Sequence, residues 1–254
     1  MTQIQPQTIA YDLMARMNNE LGMPKEYLDM STHFPLRSIF KECEKLIKVL
    51  PSTGYILKSR LYAYVGDVEK FKENYCLAKR YEVSVPDEAN YAVGLTELGL
   101  FSEAQEFVIK FLPPKTGGTN YFWKLAVITG SYSILAKAIT EAKSMGVELS
   151  AEVPQDELDE IIFPMKSQGI DELLIAKYLD LAGAILRKRK RFLSGVVQLA
   201  TPVDMDDNIL IHQRVYVDED PEIISDMNME LMEAIVENNI PQSDMILVSF
   251  EGVD

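Results

Sequence analysis

The sequence predicts a mostly α-helical protein: an α-solenoid-like array of helical hairpins over residues 1–193, followed by a small C-terminal α+β module over residues 194–254. One observation is a repeated pattern in which a single glycine separates two segments with apolar residues at helical spacing. A second is the charge distribution, because Arg214 is the only basic residue after position 200 in a chain of net charge −14. The third is strand-like alternation near the C-terminus. The repeated glycines are Gly66, Gly99 and Gly130, spaced 33 and 31 residues apart.

Two amphipathic helices are predicted before the first of these glycines. Residues 8–22 carry apolar side chains at helical spacing and end at Gly22. Residues 36–50 form a second apolar stripe, which ends before Pro51.

Each repeated glycine is predicted to join two helices by supplying the left-handed residue that ends the first one. Asp67, Ser102 and Ser131 or Ser133 follow the glycines and are predicted N-caps, because their short side chains can accept hydrogen bonds from free backbone N–H groups. Neither helix of a pair can bury its apolar stripe alone, so the pairs are expected to stack. The predicted pairs are residues 55–65 with 67–81, 87–98 with 102–111, and 120–129 with 131–145.

The segment GLFSEAQEF, which begins at Gly99, resembles the inter-helix turn of tetratricopeptide repeats. That family favours glycine at the turn and alanine five residues later, and Gly99 and Ala104 fit this pattern. The other two units depart from it, since Phe71 and Leu135 stand at the alanine position. The resemblance covers roughly residues 35 to 190 and implies stacked helical hairpins with a concave groove that binds protein.

A fourth, weaker unit is predicted around Gly169. Residues 155–168 are interpreted as a helix interrupted at Pro164, and residues 171–193 as a long helix with acidic residues near its start and basic residues near its end. The alternative interpretation of the whole region is an irregular helical domain in which the glycines are unrelated helix ends.

The C-terminal module is predicted to contain strands and one helix, ordered β-β-α-β or β-α-β. Residues 208–218 alternate and are rich in Ile, Val and Tyr, and residues 245–253 form a second strand. A helix is predicted from Pro221, and the first of these orders includes a further strand that begins at Ser194. Parallel strands joined by one helix require a right-handed crossover.

Composition limits the location and the chemistry that the sequence predicts. The sequence contains no run of 18 apolar residues, so no transmembrane helix is predicted. The first residues lack the pattern of a signal peptide, so none is expected. Cys43 and Cys76 have no Cys or His partner pattern, which indicates free thiols, buried or half-buried, in a reducing compartment and a cytoplasmic location. His33 and His212 lack metal-ligand spacing, so no catalytic residue, metal or cofactor is predicted.

Two kinds of charged cluster are the candidate partner-binding residues. The basic run is expected to contact the acidic module that follows it, or alternatively the phosphates of a nucleic acid. The acidic clusters are interpreted as solvated turns, as a divalent-metal site, or as a surface that binds a basic partner or mimics nucleic-acid phosphate. The basic residues are Arg187, Lys188, Arg189, Lys190 and Arg191; the acidic residues are Asp204, Asp206, Asp207, Asp218, Glu219 and Asp220.

The function predicted from the sequence is that of a non-enzymatic protein-binding adaptor or regulator. Immunity proteins, antitoxins and secretion chaperones are acidic binders of this general kind, an analogy rather than a deduction from residues. One alternative is a metal-dependent enzyme that uses the carboxylates between Asp204 and Asp220. Another is a nucleic-acid-linked regulator that uses residues 187–191. A protein partner is expected, and no membrane contact is expected.

Overall fold

The computed structural model of the chain confirms the mostly α fold class. It describes residues 6–22, 24–114, 119–149, 158, 162, 171–193, 198–200, 211–241, 243 and 246–253. The helices of the first 149 residues are α1 (Pro6–Arg16), which continues as a π-helical turn (Met17–Leu21), α2 (Phe34–Ile47), α3 (Pro51–Tyr64), α4 (Val68–Ala78), α5 (Val85–Glu97), α6 (Phe101–Phe111), α7 (Thr119–Ile128) and α8 (Tyr132–Ser144). The elements after residue 170 are α9 (Glu172–Lys188), β1 (Gln198–Ala200), β2 (Ile211–Val217), α10 (Pro221–Glu237) and β3 (Ile246–Gly252).

The three repeated glycines end helices in the way that the sequence predicts. Their φ angles are 71° at Gly66, 66° at Gly99 and 74° at Gly130. This left-handed region favours glycine, because glycine has no Cβ to clash with the backbone. Each one closes a helix and turns the chain into the next. The prediction around Gly169, and nearly all of the helix predicted over residues 155–168, lie outside the described residues.

Only one of the predicted N-caps uses its own side chain. Asp67 accepts from the Lys70 N–H at 3.0 Å, which confirms that prediction. The prediction for Ser102 was wrong, because α6 begins at Phe101 and Ser102 lies in its first turn. Ser131 occupies the N-cap position of α8 but makes no side-chain cap; its hydroxyl lies 3.0 Å from that of Thr129.

Helices α3 to α8 pack against one another in chain order. Helix α3 contacts α4 and α5, α5 contacts α6 and α7, and α7 contacts α8. Aromatic rings link successive pairs: the centroids of Tyr75 and Tyr91 lie 3.5 Å apart, and those of Phe111 and Phe122 lie 5.4 Å apart. The solenoid arrangement and the tetratricopeptide identity of these pairs stay predictions.

Helix α9 crosses the turns inside the second and third hairpins, at Gly99 and Gly130. At the second turn, a Cβ on Gly183 would lie 2.6 Å from the Gly99 carbonyl carbon, so backbone meets backbone there. At the third turn, the side chain of Ile175 covers Gly130. Since 175 and 183 differ by eight residues, these two contacts are about 12 Å apart along the helix.

Carboxylates of α9 also cap the helices that begin after these turns. Asp180 Oδ1 accepts from the Ser102 N–H at 3.0 Å, in the first turn of α6. The Glu172 carboxylate accepts from the Ser133 N–H, in the first turn of α8. A negative charge at a helix N-terminus is favourable, because the free N–H groups there carry partial positive charge. Helix α9 therefore supplies the caps that Ser102 and Ser133 do not supply themselves.

The C-terminal elements form a three-stranded sheet of order β1-β2-β3, which is the β-β-α-β alternative. Strand β1 is antiparallel to β2, and β2 is parallel to β3 with α10 as the crossover.

The sheet is joined to the helices by hydrogen bonds and by a shared core. The Gln213 amide donates to the buried Tyr132 hydroxyl, and the Tyr178 hydroxyl donates to the Pro241 carbonyl at 2.9 Å. One cluster of buried side chains spans α5 to β3, so the sheet packs directly on the helices. The domain boundary at residue 193 stays a prediction.

Among the helices of the described ranges, none combines the length and the apolar character needed to cross a membrane.

Replacing Gly183 by alanine is expected to lower the free energy of unfolding by about 1–3 kcal/mol, because the added methyl group overlaps the Gly99 backbone. Helix propensity alone predicts the opposite sign, a gain of about 1 kcal/mol. Urea unfolding followed by circular dichroism distinguishes the two. Ala184→Ser, at the exposed neighbouring position, is the control and should change stability by no more than about 0.5 kcal/mol. A more stable Gly183→Ala protein would contradict the close crossing of α9.

Candidate interaction surface on the C-terminal module

Most of the basic run at the end of α9 is engaged within the chain. Lys188 and Arg189 contact the Glu230 carboxylate of α10, the latter at 3.2 Å. Arg191 forms ion pairs with Glu219 and Glu26. The contact between the basic run and the acidic module is therefore present in the structure.

The other two basic residues of the run differ from these three. Arg187 donates to the carbonyl oxygens of Leu98 and Gly99 at 2.8 and 2.7 Å, so its guanidinium closes the second hairpin turn. Lys190 is exposed and has a φ of 56° in the turn that ends α9. If the whole basic run bound phosphates, the hydrogen bonds of Arg187 and the ion pairs of Lys188, Arg189 and Arg191 would have to break.

The acidic residues before α10 are divided between ion pairs and solvent. Asp218 pairs with Lys25, and Glu219 pairs with Arg191. Asp220 stands at the N-cap position of α10 without a side-chain cap. Asp204, Asp206 and Asp207 lie outside the described residues. Within the described ranges, no group of three or more His, Cys, Asp or Glu side chains is arranged to hold a metal ion.

Helix α10 has two apolar stripes, of which only one is buried. Met227, Leu231 and Ile235 face the core. Met229, Met232 and Val236 are 61%, 49% and 62% exposed, and they follow one another at i, i+3 and i+7. An exposed line of large apolar side chains is the kind of surface that marks a binding site.

Acidic residues accompany the exposed apolar stripe. Helix α10 contains no Lys or Arg, and in the described part of the chain none of its exposed carboxylates forms an ion pair. The combined surface is called the acidic α10 face. It consists of Glu222, Asp226, Met229, Met232, Glu233, Val236 and Glu237.

A groove of about 740 Å³ runs between α10 and β3, and Met229 and Met232 line it. Asn228 also lines this groove: its Oδ1 accepts from the Phe250 N–H at 2.8 Å, and its Nδ2 donates to the Phe250 carbonyl at 3.0 Å. This double hydrogen bond occupies the outward backbone groups of β3 at Phe250. Because those groups are occupied, β3 is protected there against pairing with a further strand.

A polar cluster lies on β2 and β3. His212 Nε2 is 2.8 Å from the Ser249 hydroxyl and 3.7 Å from Glu251 Oε1. A serine–histidine–acid relay needs the serine and the acid on different ring nitrogens, so this arrangement is not such a relay. Burial lowers the pKa of His212, and the charge of Arg214 lowers it further.

The two cysteines are free thiols, as predicted, but only Cys43 is buried; Cys76 is exposed. Burial raises the pKa of Cys43 to about 12, so this thiol stays protonated near neutral pH. A protonated thiol is a poor nucleophile.

A second charged surface, on α2, was missed by the sequence reasoning. Its signal was visible, because basic residues recur at i, i+4, i+8 and i+11 opposite the apolar stripe of that helix. The surface is called the basic α2 face. It consists of Phe34, Arg37, Lys41, Lys45, Lys48 and Val49, all exposed.

Compared with known proteins, the chain matches no protein-family model, no curated protein and no solved structure.

Asn228→Ala is expected to lower the free energy of unfolding by about 1–3 kcal/mol, because it removes two hydrogen bonds to Phe250. Asn238→Ala, at the C-cap of the same helix, is the control, since the Asn238 side-chain amide donates to the Ala234 carbonyl one turn earlier and not to a strand. That control should change stability by about 0.5 kcal/mol or less. Urea unfolding measures both, and equal losses would show that Asn228 does not secure the strand edge.

His212 is expected to make the protein less stable as the pH falls below about 6.5, the ordinary pKa of histidine in an unfolded chain. Because the folded-state pKa is lowered, the unfolded chain takes up the proton first, and protonation then favours unfolding. His212→Gln removes this contribution. Its unfolding free energy should therefore fall less than that of the wild type between about pH 7 and pH 5. Parallel pH profiles of the two proteins would contradict this.

Proposed function

We propose that the chain is a non-enzymatic protein-binding scaffold whose acidic α10 face binds a basic, amphipathic segment of a partner. The observation that carries this proposal is the alignment of exposed Met229, Met232 and Val236 with unpaired carboxylates of the described part of α10. Apolar side chains in such a contact supply affinity, and complementary charges supply orientation and specificity.

The groove beside α10 favours a helical partner over an added strand. Strand addition uses the free backbone groups of a sheet edge, and Asn228 already occupies those of Phe250. An amphipathic helix needs no backbone groups from its binding surface, because its anchors are side chains at i, i+3 and i+7. Methionine side chains adapt their shape to such anchors.

The helical pairs support the proposed function by holding α10 in a fixed position. Glu230 is bonded to Lys188 and Arg189 at the end of α9, and that helix crosses two hairpin turns. A surface that is ordered before binding loses less conformational entropy when a partner arrives. The free thiols Cys43 and Cys76 are compatible with the cytoplasmic location proposed for this scaffold.

The test uses two synthetic helical peptides with the same apolar face, one with lysines and one with glutamates at the remaining positions. Fluorescence anisotropy should detect binding of the lysine peptide only, and this binding should weaken with salt. Glu233→Lys/Glu237→Lys should weaken it by about tenfold or more, because two attractions become repulsions.

The matched control is Glu69→Lys/Glu73→Lys, which makes the same charge change at the same spacing on exposed positions of α4. This control should bind the lysine peptide nearly as well as the wild type. Equal binding of both peptides, or an equal loss in the control, would contradict the assignment of the acidic α10 face.

A further inference from the structure

The basic α2 face carries four cations that have no ion pair in the part of the chain that the structure describes. Arg37, Lys41 and Lys45 follow one another at i, i+4 and i+8, and Lys48 completes the row. A shallow groove of about 420 Å³ lies along the same row. The carboxylates nearest in sequence are engaged elsewhere, since Glu42 pairs with Arg16 and Glu44 with Lys58.

This row is unfavourable for the isolated helix. Like charges at i and i+4 destabilise a helix by about 0.2–0.5 kcal/mol per pair. The acidic α10 face has the same property with the opposite sign, in the pairs Glu222–Asp226 and Glu233–Glu237. An opposite charge row placed against either face would relieve that repulsion.

The two faces match in length and in apolar content. The basic α2 face, from Phe34 to Val49, and the acidic α10 face, from Glu222 to Glu237, each extend over fifteen residue steps, about 22 Å at the rise of an α-helix. Phe34 and Val49 flank the basic row and are 71% and 54% exposed. Apolar side chains are thus available on both faces to be buried in one contact.

We propose that the basic α2 face binds the acidic α10 face of a second copy of this chain. This inference rests on the proposed function, because it names the basic segment that the acidic α10 face receives. Both faces are exposed in the single chain, so they do not satisfy each other within one molecule. In a two-fold dimer, α2 of each copy meets α10 of the other, and both contacts form together.

A protein surface suits the basic α2 face better than a nucleic acid does. The flanking Phe34 and Val49 gain nothing from a phosphate backbone, whereas they can be buried against Met229, Met232 and Val236. The net charge of −14 repels a polyanion as a whole. The same net charge also opposes dimerisation, so the contact depends on the local match of the two faces.

The experiment compares the solution mass of the wild type with that of two charge-reversed proteins by sedimentation velocity. One protein carries Lys41→Glu/Lys45→Glu, and the other carries Glu233→Lys/Glu237→Lys. The wild type should form a species of at least dimer mass at about 50 mM salt and dissociate at about 500 mM, where screening is stronger. Each reversed protein alone should be monomeric.

The decisive result is restoration by charge complementarity. An equimolar mixture of the two reversed proteins should associate, because each then meets a face of opposite sign on the other. One chain carrying all four substitutions should self-associate again. Circular dichroism and the melting temperature establish that each protein is folded, and Lys41→Ala/Lys45→Ala should show an intermediate loss.

Three results would overturn the proposal: a wild type that is monomeric at low salt, self-association that survives either reversal, or a mixture that stays monomeric. Binding of a fluorescent oligonucleotide that is lost on Lys41→Glu/Lys45→Glu, with a monomeric wild type, would assign the basic α2 face to phosphates instead. The synthetic lysine peptide separates the two proposals. If that peptide binds the acidic α10 face while the chain stays monomeric, only the second copy is excluded.

Discussion

The crossing of α9 over the hairpin turns is the contact on which the rest of the fold depends. Eight residues of α9 advance by about 12 Å along the helix axis. Residues eight positions apart on this helix meet two successive turns, Ile175 at Gly130 and Gly183 at Gly99. Glu172 with Ile175, and Asp180 with Gly183, each combine a carboxylate that caps a helix with a residue that fits against a glycine. The glycines are thus required both for the turn and for the helix that covers it.

Helix α9 also connects the hairpins to the C-terminal module. Its final turn bonds the second hairpin through Arg187 and α10 through Lys188 and Arg189. The buried hydrogen bond between Tyr132 and Gln213 joins the start of α8 to β2. Buried polar pairs of this kind favour one docking arrangement, because a displaced pair leaves both groups without partners. The position of α10 is consequently fixed from two sides.

The features that the sequence predicts well are those set by neighbouring residues. The left-handed glycines, the helices beside them, and the strands of alternating pattern follow from backbone sterics and local periodicity. The cap of α6 could not be predicted, because Asp180 lies 78 residues from Ser102. The sequence predicted a helix beginning at Pro221, but not that Met229, Met232 and Val236 would stay exposed. Which stripe is buried depends on contacts that are distant in the sequence.

Exposed charge is arranged on this chain in a way that folding does not require. Opposite charges at i and i+4 would stabilise α2 and α10. Such ion pairs would form if a few exposed basic residues of α2 were exchanged with acidic residues of α10. Instead, α2 presents a row of exposed cations, and the charged side chains of α10 are all carboxylates. The basic run at the end of α9 shows the opposite arrangement, since Lys188, Arg189 and Arg191 form ion pairs within the molecule. Unpaired rows of one sign beside exposed Phe34 or Met232 are therefore better explained by contacts outside the chain than by the stability of the chain itself.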